Sequence, residues 1–368
     1  SIILLIGTMV VYKQINFMNS QELGVNIEQK LITSTPMSSI RRPDLQSKLL
    51  TYKSEVEKLD GVELFTSSSS VPGREIEFLF SNVKLPEDKN RGDIISRMNV
   101  GPDFFKTYDI KLISGELFTH PDLTKETVIL NESASKQLNF INPNDAIGQF
   151  ILIRNRKYKV IGVVGDHHHE SLKKNIGSII YNCRHVWFRS VGYYTIKLNT
   201  KNVRSTISEI KQVWDKIYKS DNFVYFFLNE SFNEQYKEEE RFAKLSILFS
   251  VLAILIACLG LLGLAAFTAE QRTKEIGVRK VNGAKIKEIL FLFNADFIKS
   301  VLIAFIIASP IAYLVMIKWL QNFAYKTTLS WWIFAASGLL TALIAVTTVS
   351  WQTIKTVRRN PVEALRYE

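Results

Sequence analysis

Cysteine is scarce: 2 residues in a chain of 368, too few for a disulfide framework. Cys183 falls in a polar region and Cys258 inside an apolar run, so the two are not expected to meet. Zinc-type cysteine spacing, a Walker A sequence and a G-x-S-x-G elbow are also missing. No nucleotide site and no cofactor are therefore expected in this chain. Charge is missing too, from three long stretches: 25 residues from Leu245 to Ala269, 18 from Ser300 to Ile317, and 28 from Thr327 to Ile354. Each reaches or approaches the ~20 residues of a spanning helix, so three complete transmembrane helices are predicted in the last third. The first 12 residues, S-I-I-L-L-I-G-T-M-V-V-Y, are uncharged as well, but too few to span. They lack the basic flank and small-residue cleavage site of a signal peptide. They are read as the outer half of a transmembrane helix whose inner half has been cut away.

The net charge of +11 raises nucleic acid as a partner. Its distribution argues otherwise. Residues 13–244 carry 33 basic and 29 acidic residues, whereas residues 245–368 carry 13 and 6. Ten of those 13 lie in the loop Glu270–Glu288 and in the tail after Ile354, which is the positive-inside pattern. The basic charge reports topology, and no nucleic acid is expected. The loop, E-Q-R-T-K-E-I-G-V-R-K-V-N-G-A-K-I-K-E, holds Arg272, Lys274, Arg279, Lys280, Lys285 and Lys287 against Glu270, Glu275 and Glu288. Glu275 to Val281 is predicted to form a short helix closed by Asn282-Gly283 in the left-handed conformation. A folded cytoplasmic loop this small suggests a docking element. By parity the segment Lys318–Ser330 lies outside, as does the large polar region. Trp319, Trp331 and Trp332 then fall at the outer interface, where aromatic belts belong.

The polar region reads as mixed α/β. Leu45, Leu49, Tyr52, Val56 and Leu59 recur at helical spacing up to Gly61. Val203, Ile207, Ile210, Trp214 and Ile217 do the same behind Asn202 as N-cap. Strands are predicted at Glu75–Phe80, Thr127–Leu130, Phe150–Arg154, Tyr158–Val164, Tyr194–Leu198 and Phe223–Leu228. Ser67–Gly73 and Pro86–Gly92 read as surface loops. At its two ends the region leads into the membrane through helix extensions, one running past Lys13 and Phe17 to a cap at Gly24, the other over Phe232–Lys244. Such a pair would make a stalk, or simply two solvated helix ends.

Four further features admit a sharp and a bland reading. Asp166-His167-His168-His169-Glu170 suggests a metal site, yet on a strand only His167 and His169 share a face, so a site would need help from His185. The bland reading, a solvated strand end or loop, is preferred, and no metal is assigned. Asp296 and Lys299 are the only charges in their region and are expected to pair near the interface. Pro310 could kink its helix, or be accommodated. Gly260, Gly263 and Ala266 have the spacing that allows close helix packing.

Several segments resemble a known family. R-T-K-E-I-G-V-R-K-V-N-G-A-K (272–285) followed by a membrane helix is similar to the loop of MacB/FtsX-like ABC transporter permeases, and N-P-V-E-A-L-R-Y-E (360–368) resembles the end of such chains. V-G-P-D-F-F-K-T-Y-D-I-K-L-I-S-G-E-L-F, V-I-L-N-E-S-A-S-K-Q-L and V-I-G-V-V-G-D-H-H-H-E-S-L resemble the MacB-type periplasmic core domain, the histidines departing from an aromatic-containing pattern. The resemblance implies an α-helical membrane protein of four transmembrane helices, the first truncated, with a large mixed α/β extracytoplasmic domain. Residues 1–23 would be the truncated helix and stalk, and 24–231 the MacB-like domain. Residues 232–368 would be a stalk helix and FtsX-like permease domain, with cytoplasmic loop 270–288 and tail 355–368. It further implies an inner-membrane permease without enzymatic activity of its own, working with a separate ABC ATPase on the cytoplasmic side. A second permease unit is implied as well, as a homodimer or as the N-terminal half of a longer chain, together with membrane lipid and a periplasmic or outer-membrane partner. The ATPase contact is carried over to Glu275, Ile276, Gly277, Val278, Arg279 and Lys280, with Gly283 and Ala284 at the turn. A membrane receptor or scaffold without an ATPase is the alternative.

Overall fold

The computed structural model describes residues 1–36, 44–76, 79–88, 92–119, 126–183 and 192–357. The chain opens with α1 (Ile2–Asn19), β1 (Lys30–Ser34), α2 (Leu45–Val56), β2 (Val62–Ser68), β3 (Leu79–Lys84) and β4 (Asp93–Val100). There follow α3 (Phe104–Thr107), β5 (Leu112–Gly115), β6 (Thr127–Asn131), α4 (Glu132–Gln137), α5 (Pro143–Ala146), β7 (Phe150–Ile153) and β8 (Arg156–Val164). Next come β9 (Ile179–Cys183), β10 (Tyr193–Leu198), α6 (Val203–Ile217), β11 (Tyr225–Phe227) and α7 (Leu228–Glu234). Four long or linking helices close the chain: α8 (Lys237–Gln271), α9 (Thr273–Val281), α10 (Ile286–Leu320) and α11 (Trp331–Val357). Two compact units result, one of Gln21–Tyr236 and one of Ser1–Ser20 with Lys237–Glu368.

In the first unit the strands form one sheet in the order β11-β1-β10-β2-β4-β3-β7-β8-β6-β9, with β5 added to β8. Strand β9 then pairs parallel to β4, Ser96 opposite Ile179, so the second half of the sheet closes on itself. Closure removes the free edges of those strands. Val128, Leu130, Ile151, Val160 and Ile180 fill this half with apolar side chains. In the open half, α2 and α6 cover one face. Tyr52, Phe65, Tyr194, Trp214 and Tyr218 are buried there together, with Trp214 donating its indole N–H to Asp221 O at 2.9 Å. The spacing of Val203, Ile210 and Trp214 thus does what a 3.6-residue period requires, and the Asn202 carboxamide accepts the Ser205 N–H at 3.5 Å.

Several boundaries differ from expectation. Helix α1 stops at Asn19, where Ser20 N–H bonds Asn16 O at 3.1 Å and its hydroxyl bonds Phe17 O at 2.9 Å. Gly24 is left-handed (φ 69°) for another reason: a Cβ there would lie 2.6 Å from Asp166 O. The predicted helix over Phe232–Lys244 is interrupted between Glu234 and Lys237. Gln235 donates to Gly73 O at 2.8 Å, and the Tyr236 hydroxyl accepts the Leu172 N–H at 3.1 Å, which turns both side chains into the domain. The serine run is not a surface loop. Ser67 and Ser68 belong to β2, and Ser67, Ser68, Ser69 and Ser70 are all buried. Their small side chains let the backbones close up, with Gly101 N–H on Ser67 O at 2.7 Å and Ser69 N–H on Asn99 O at 2.9 Å. The strand expected at Glu75–Phe80 is β3, displaced to Leu79–Lys84.

Among the described residues of the second unit, four helices are long and apolar enough to cross a membrane: Ile2–Asn19, Lys237–Gln271, Ile286–Leu320 and the stretch Trp331–Lys355. Pro310 lies inside α10 without ending it. No described atom lies within 4 Å of where a Cβ on Gly260 or Gly263 would sit, so these glycines pack against nothing described in the chain. The close approach is instead at Gly338, where a Cβ would meet the Phe305 ring at 2.8 Å. Both cysteines are free.

Candidate functional site

The candidate site is the loop between α8 and α10. Helical continuity breaks at Arg272, yet few backbone bonds are lost: Arg272 N–H reaches Thr268 O at 3.1 Å, and Ile276 N–H reaches Arg272 O at 2.9 Å. The Arg272 guanidinium lies 5.8 Å from the Phe293 ring centre and 3.3 Å from the Asp296 carboxylate. Asp296 therefore pairs across to the loop corner rather than with Lys299 on its own helix. The pair is more than a third exposed, and its contribution is correspondingly small.

The far end of α9 is a Schellman stop. Gly283 is left-handed (φ 87°), Ala284 N–H bonds back to Arg279 O at 2.9 Å, and Asn282 N–H bonds Val278 O at 3.0 Å. A side chain at 283 would be strained in this conformation. Lys285 then opens α10, its N–H on the Glu288 carboxylate at 3.3 Å. The two helix ends define α9 as a separate helix between two spans.

One face of α9 is anchored and the other is open. Ile276, 9% exposed, packs with Ala269, Ile289 and Phe293. Val278 is 53% exposed. Glu275 and Arg279 pair at 2.8 Å on the solvent side. Gly277 is buried, yet a Cβ on it would meet no described atom within 4 Å, so packing among the described residues does not require glycine there. Of the residues expected at the contact, Glu275, Val278, Arg279 and Gly283 are exposed and Ala284 is half-buried, while Ile276 is the anchor and Gly277 is buried beside it. The side chain of Lys280 lies outside the described residues. The Arg272–Asp296 pair departs from expectation; its only trace in the sequence is a lone acid early in an apolar helix.

The histidine run is not solvated. His167 is 1% exposed, and His168 and His169 are buried too. The segment is threaded between neighbours, His168 N–H on Leu23 O at 2.8 Å and Gly73 N–H on His169 O at 2.7 Å. The His167 ring stacks on Tyr181 with centroids 6.3 Å apart, and His169 Nε2 lies 3.2 Å from the Ser70 hydroxyl. Burial pushes His167 down to about 4 and His169 down to about 3, the latter helped by the neighbouring His167. Both rings are neutral aromatic core residues at neutral pH. Among the described residues no group of three or more His, Cys, Asp or Glu side chains is placed to hold a metal; His185 lies outside them.

Four apolar helices long enough to span a membrane among the described residues, a folded basic loop between two of them and a large α/β extracytoplasmic domain define a multi-pass inner-membrane permease. Residues 1–209 match the MacB-like periplasmic core domain and residues 247–361 the FtsX-like permease C-terminal domain. The chain belongs to the MacB/FtsX-like family of ABC transporter permeases. It is 28% identical over 208 residues to the macrolide export ATP-binding/permease protein MacB of Aggregatibacter actinomycetemcomitans, covering 53% of this chain and 32% of that protein. To the protein of the same name from Escherichia coli it is 23% identical over 291 residues, 75% of this chain and 44% of the other. The chain thus spans less than half the length of these curated relatives. The crystal structure of the periplasmic region of MacB from Actinobacillus actinomycetemcomitans superposes with a TM-score of 0.40 at 16% identity, over 58% of this chain and 94% of that one.

Proposed function

We propose that this chain is the permease unit of an ABC transporter in which a separate ATPase acts on α9 and thereby moves the extracytoplasmic domain. The relatives are named as ATP-binding/permease proteins, and this chain matches a part of them. The observation that carries the reading is the two-faced α9: Ile276 fixes it to α8 and α10, while Glu275, Val278 and Arg279 point away from the chain. Glycine inside a helix costs about 1 kcal/mol relative to alanine. Gly277 bears that cost at a buried position where no described atom would meet its Cβ.

In this reading ATP binding draws two ATPases together and pushes on the two α9 helices of a paired permease. Because α9 links two spans, a push on it becomes a shift of α8 and α10. Residues 24–231 form the domain that changes shape, and residues 232–368 carry the stalk helix and the permease domain. Export or envelope maintenance is the resulting function. The test is charge reversal at Arg279→Glu and Lys280→Glu in the full chain, with co-purifying ATPase identified by mass spectrometry and its turnover measured. Loss of association or of turnover stimulation is expected; unchanged association and turnover overturn the assignment.

A further inference from the structure

The two helices that lead toward the extracytoplasmic side, α1 and α8, are held very differently within the membrane unit. Gln14 of α1 is 0% exposed and makes two hydrogen bonds to the α10–α11 turn: its Nε2 donates to Tyr325 O at 2.8 Å, and its Oε1 accepts the Thr327 N–H at 2.8 Å. Next to it, Lys13 Nζ donates to Thr328 O at 2.9 Å and to the Ser330 hydroxyl at 2.7 Å. One side-chain amide thus satisfies a donor and an acceptor of a turn that α10 and α11 leave without helical partners. Apolar packing follows the same division. Ile2, Ile6 and Val10 of α1 share a buried cluster with Ala312 and Leu320 of α10 and Ile333 of α11. Gly7 approaches Met316, a Cβ there meeting its methyl at 3.7 Å.

Among the described residues, helix α8 has no comparable side-chain clamp in its outer apolar half. From Phe242 to Leu255 its polar and ring contacts to the other helices are one hydroxyl pair, Thr8 with Ser250 at 2.9 Å, and the Phe242 ring stacked at 6.3 Å on Trp319, while Ala243 and Ser250 are buried and Ile254 lines a cavity with Ile2 and Leu5 of α1. Leu245, Leu248, Phe249, Leu252 and Leu255 are exposed. Toward the cytoplasmic end α8 is gripped again: Ala265 packs with Phe297 and Val349, and Ala269 with Ile276 of α9.

We propose that Lys13 and Gln14 clamp α1 to the α10–α11 turn, making α1, α10 and α11 one rigid body at the outer face, against which α8 moves as a lever held at its cytoplasmic end. The clamp itself does not depend on an ATPase; its use as the fixed part of a force-transmitting device rests on the function proposed above. A push on α9 would then leave the membrane through α8, because the other three helices are tied together where it could diverge from them.

The test uses the full chain in lipid nanodiscs without any ATPase, so that it can fail or succeed independently of the coupling assignment. In a Cys183→Ser, Cys258→Ala background, spin labels are placed at Tyr12→Cys with Trp331→Cys, or at Leu248→Cys with Trp331→Cys, and the distance distributions are measured. The α1–α11 distribution is expected to be narrow and the α8–α11 distribution broad. With Lys13→Met and Gln14→Leu together, the first should broaden roughly twofold and the second should stay as it was. An α1–α11 distribution as broad as the α8–α11 one, or one unchanged by the double substitution, overturns the clamp. Should the double variant not fold, Gln14→Glu keeps the acceptor for Thr327 and loses the donor to Tyr325; it should give intermediate broadening, and none would count against the proposal.

Discussion

The extracytoplasmic domain and the membrane unit solve opposite problems. The domain buries its aromatic and apolar side chains against each other, and it tolerates serines and histidines in the interior by closing backbone around them. The membrane unit buries less of its two longest helices: 6% of the apolar stretch of α8 and of α10 is buried within the chain, against 22% for α11 and 44% for α1. Lipid-facing leucines gain nothing from meeting one another, because hydrocarbon is their solvent already. Definition at the helix ends therefore falls to a few polar contacts, those of Gln14, Lys13, Arg272 and the Gly283 stop, beside the apolar packing around α1. One part is specified by packing throughout, the other by a small number of junctions and the packing around α1.

Substitutions should separate the two regimes. The largest effect is expected in the domain, where Trp214→Ala removes the centre of the aromatic cluster and should destabilise it by about 3–5 kcal/mol. Hydrogen exchange of the β10 amides in the full chain would register this as lost protection. Acid should act on the same unit. In the unfolded chain His167 and His169 titrate near 6.5, whereas in the folded domain burial holds them near 4 and 3. Below pH 6.5 the unfolded state binds protons that the folded state refuses, so stability present above 6.5 is lost as pH falls toward those folded values. At pH 5.5 the two rings together account for about 3 kcal/mol, and His167→Phe with His169→Phe should flatten this part of a stability-against-pH curve. A curve unchanged by the double substitution would mean that other groups set the acid response.

Junction contacts come next. Gln14→Leu is expected to cost about 1 kcal/mol, measured as a fall in unfolding midpoint in detergent, with no change in exchange of the β10 amides. Smallest in stability, and largest in consequence, is α9. Gly277→Ala should stabilise the helix by up to about 1 kcal/mol, and Arg279→Glu should lie within about 0.5 kcal/mol of neutral. If Arg279→Glu nevertheless reduces coupling to an ATPase, the exposed face of α9 is read by a partner and not by this chain.

What the sequence makes legible follows the same line. Uncharged runs and a basic loop announce the spans and their orientation, because those signals are local. The stop of α9 at Asn282-Gly283 is local too. Strands β2, β4 and β9 are not legible in this way: β2 ends in serines and β4 carries Asp93, Arg97 and Asn99, so neither shows clean alternation. Their place is set by pairing across the chain, Ser96 with Ile179 and Val100 with Cys183. The histidines mislead for a related reason. Three polar residues in a row look solvated, and only their long-range neighbours Gly73, Leu23 and Tyr181 reveal that they fill an aromatic site. Likewise the partner of Asp296 lies in the loop corner, where no helical spacing from Asp296 could indicate it.

The coupling role of α9 is tested most directly by a photo-reactive side chain placed at Val278 in the full chain, compared with the same group at Leu292 on α10, in membranes that contain the native partners. A crosslink from Val278 to an ABC ATPase subunit, absent at Leu292, is the predicted result. No crosslink from Val278, or equal crosslinking from both positions, would contradict the assignment of α9 as the surface through which force enters.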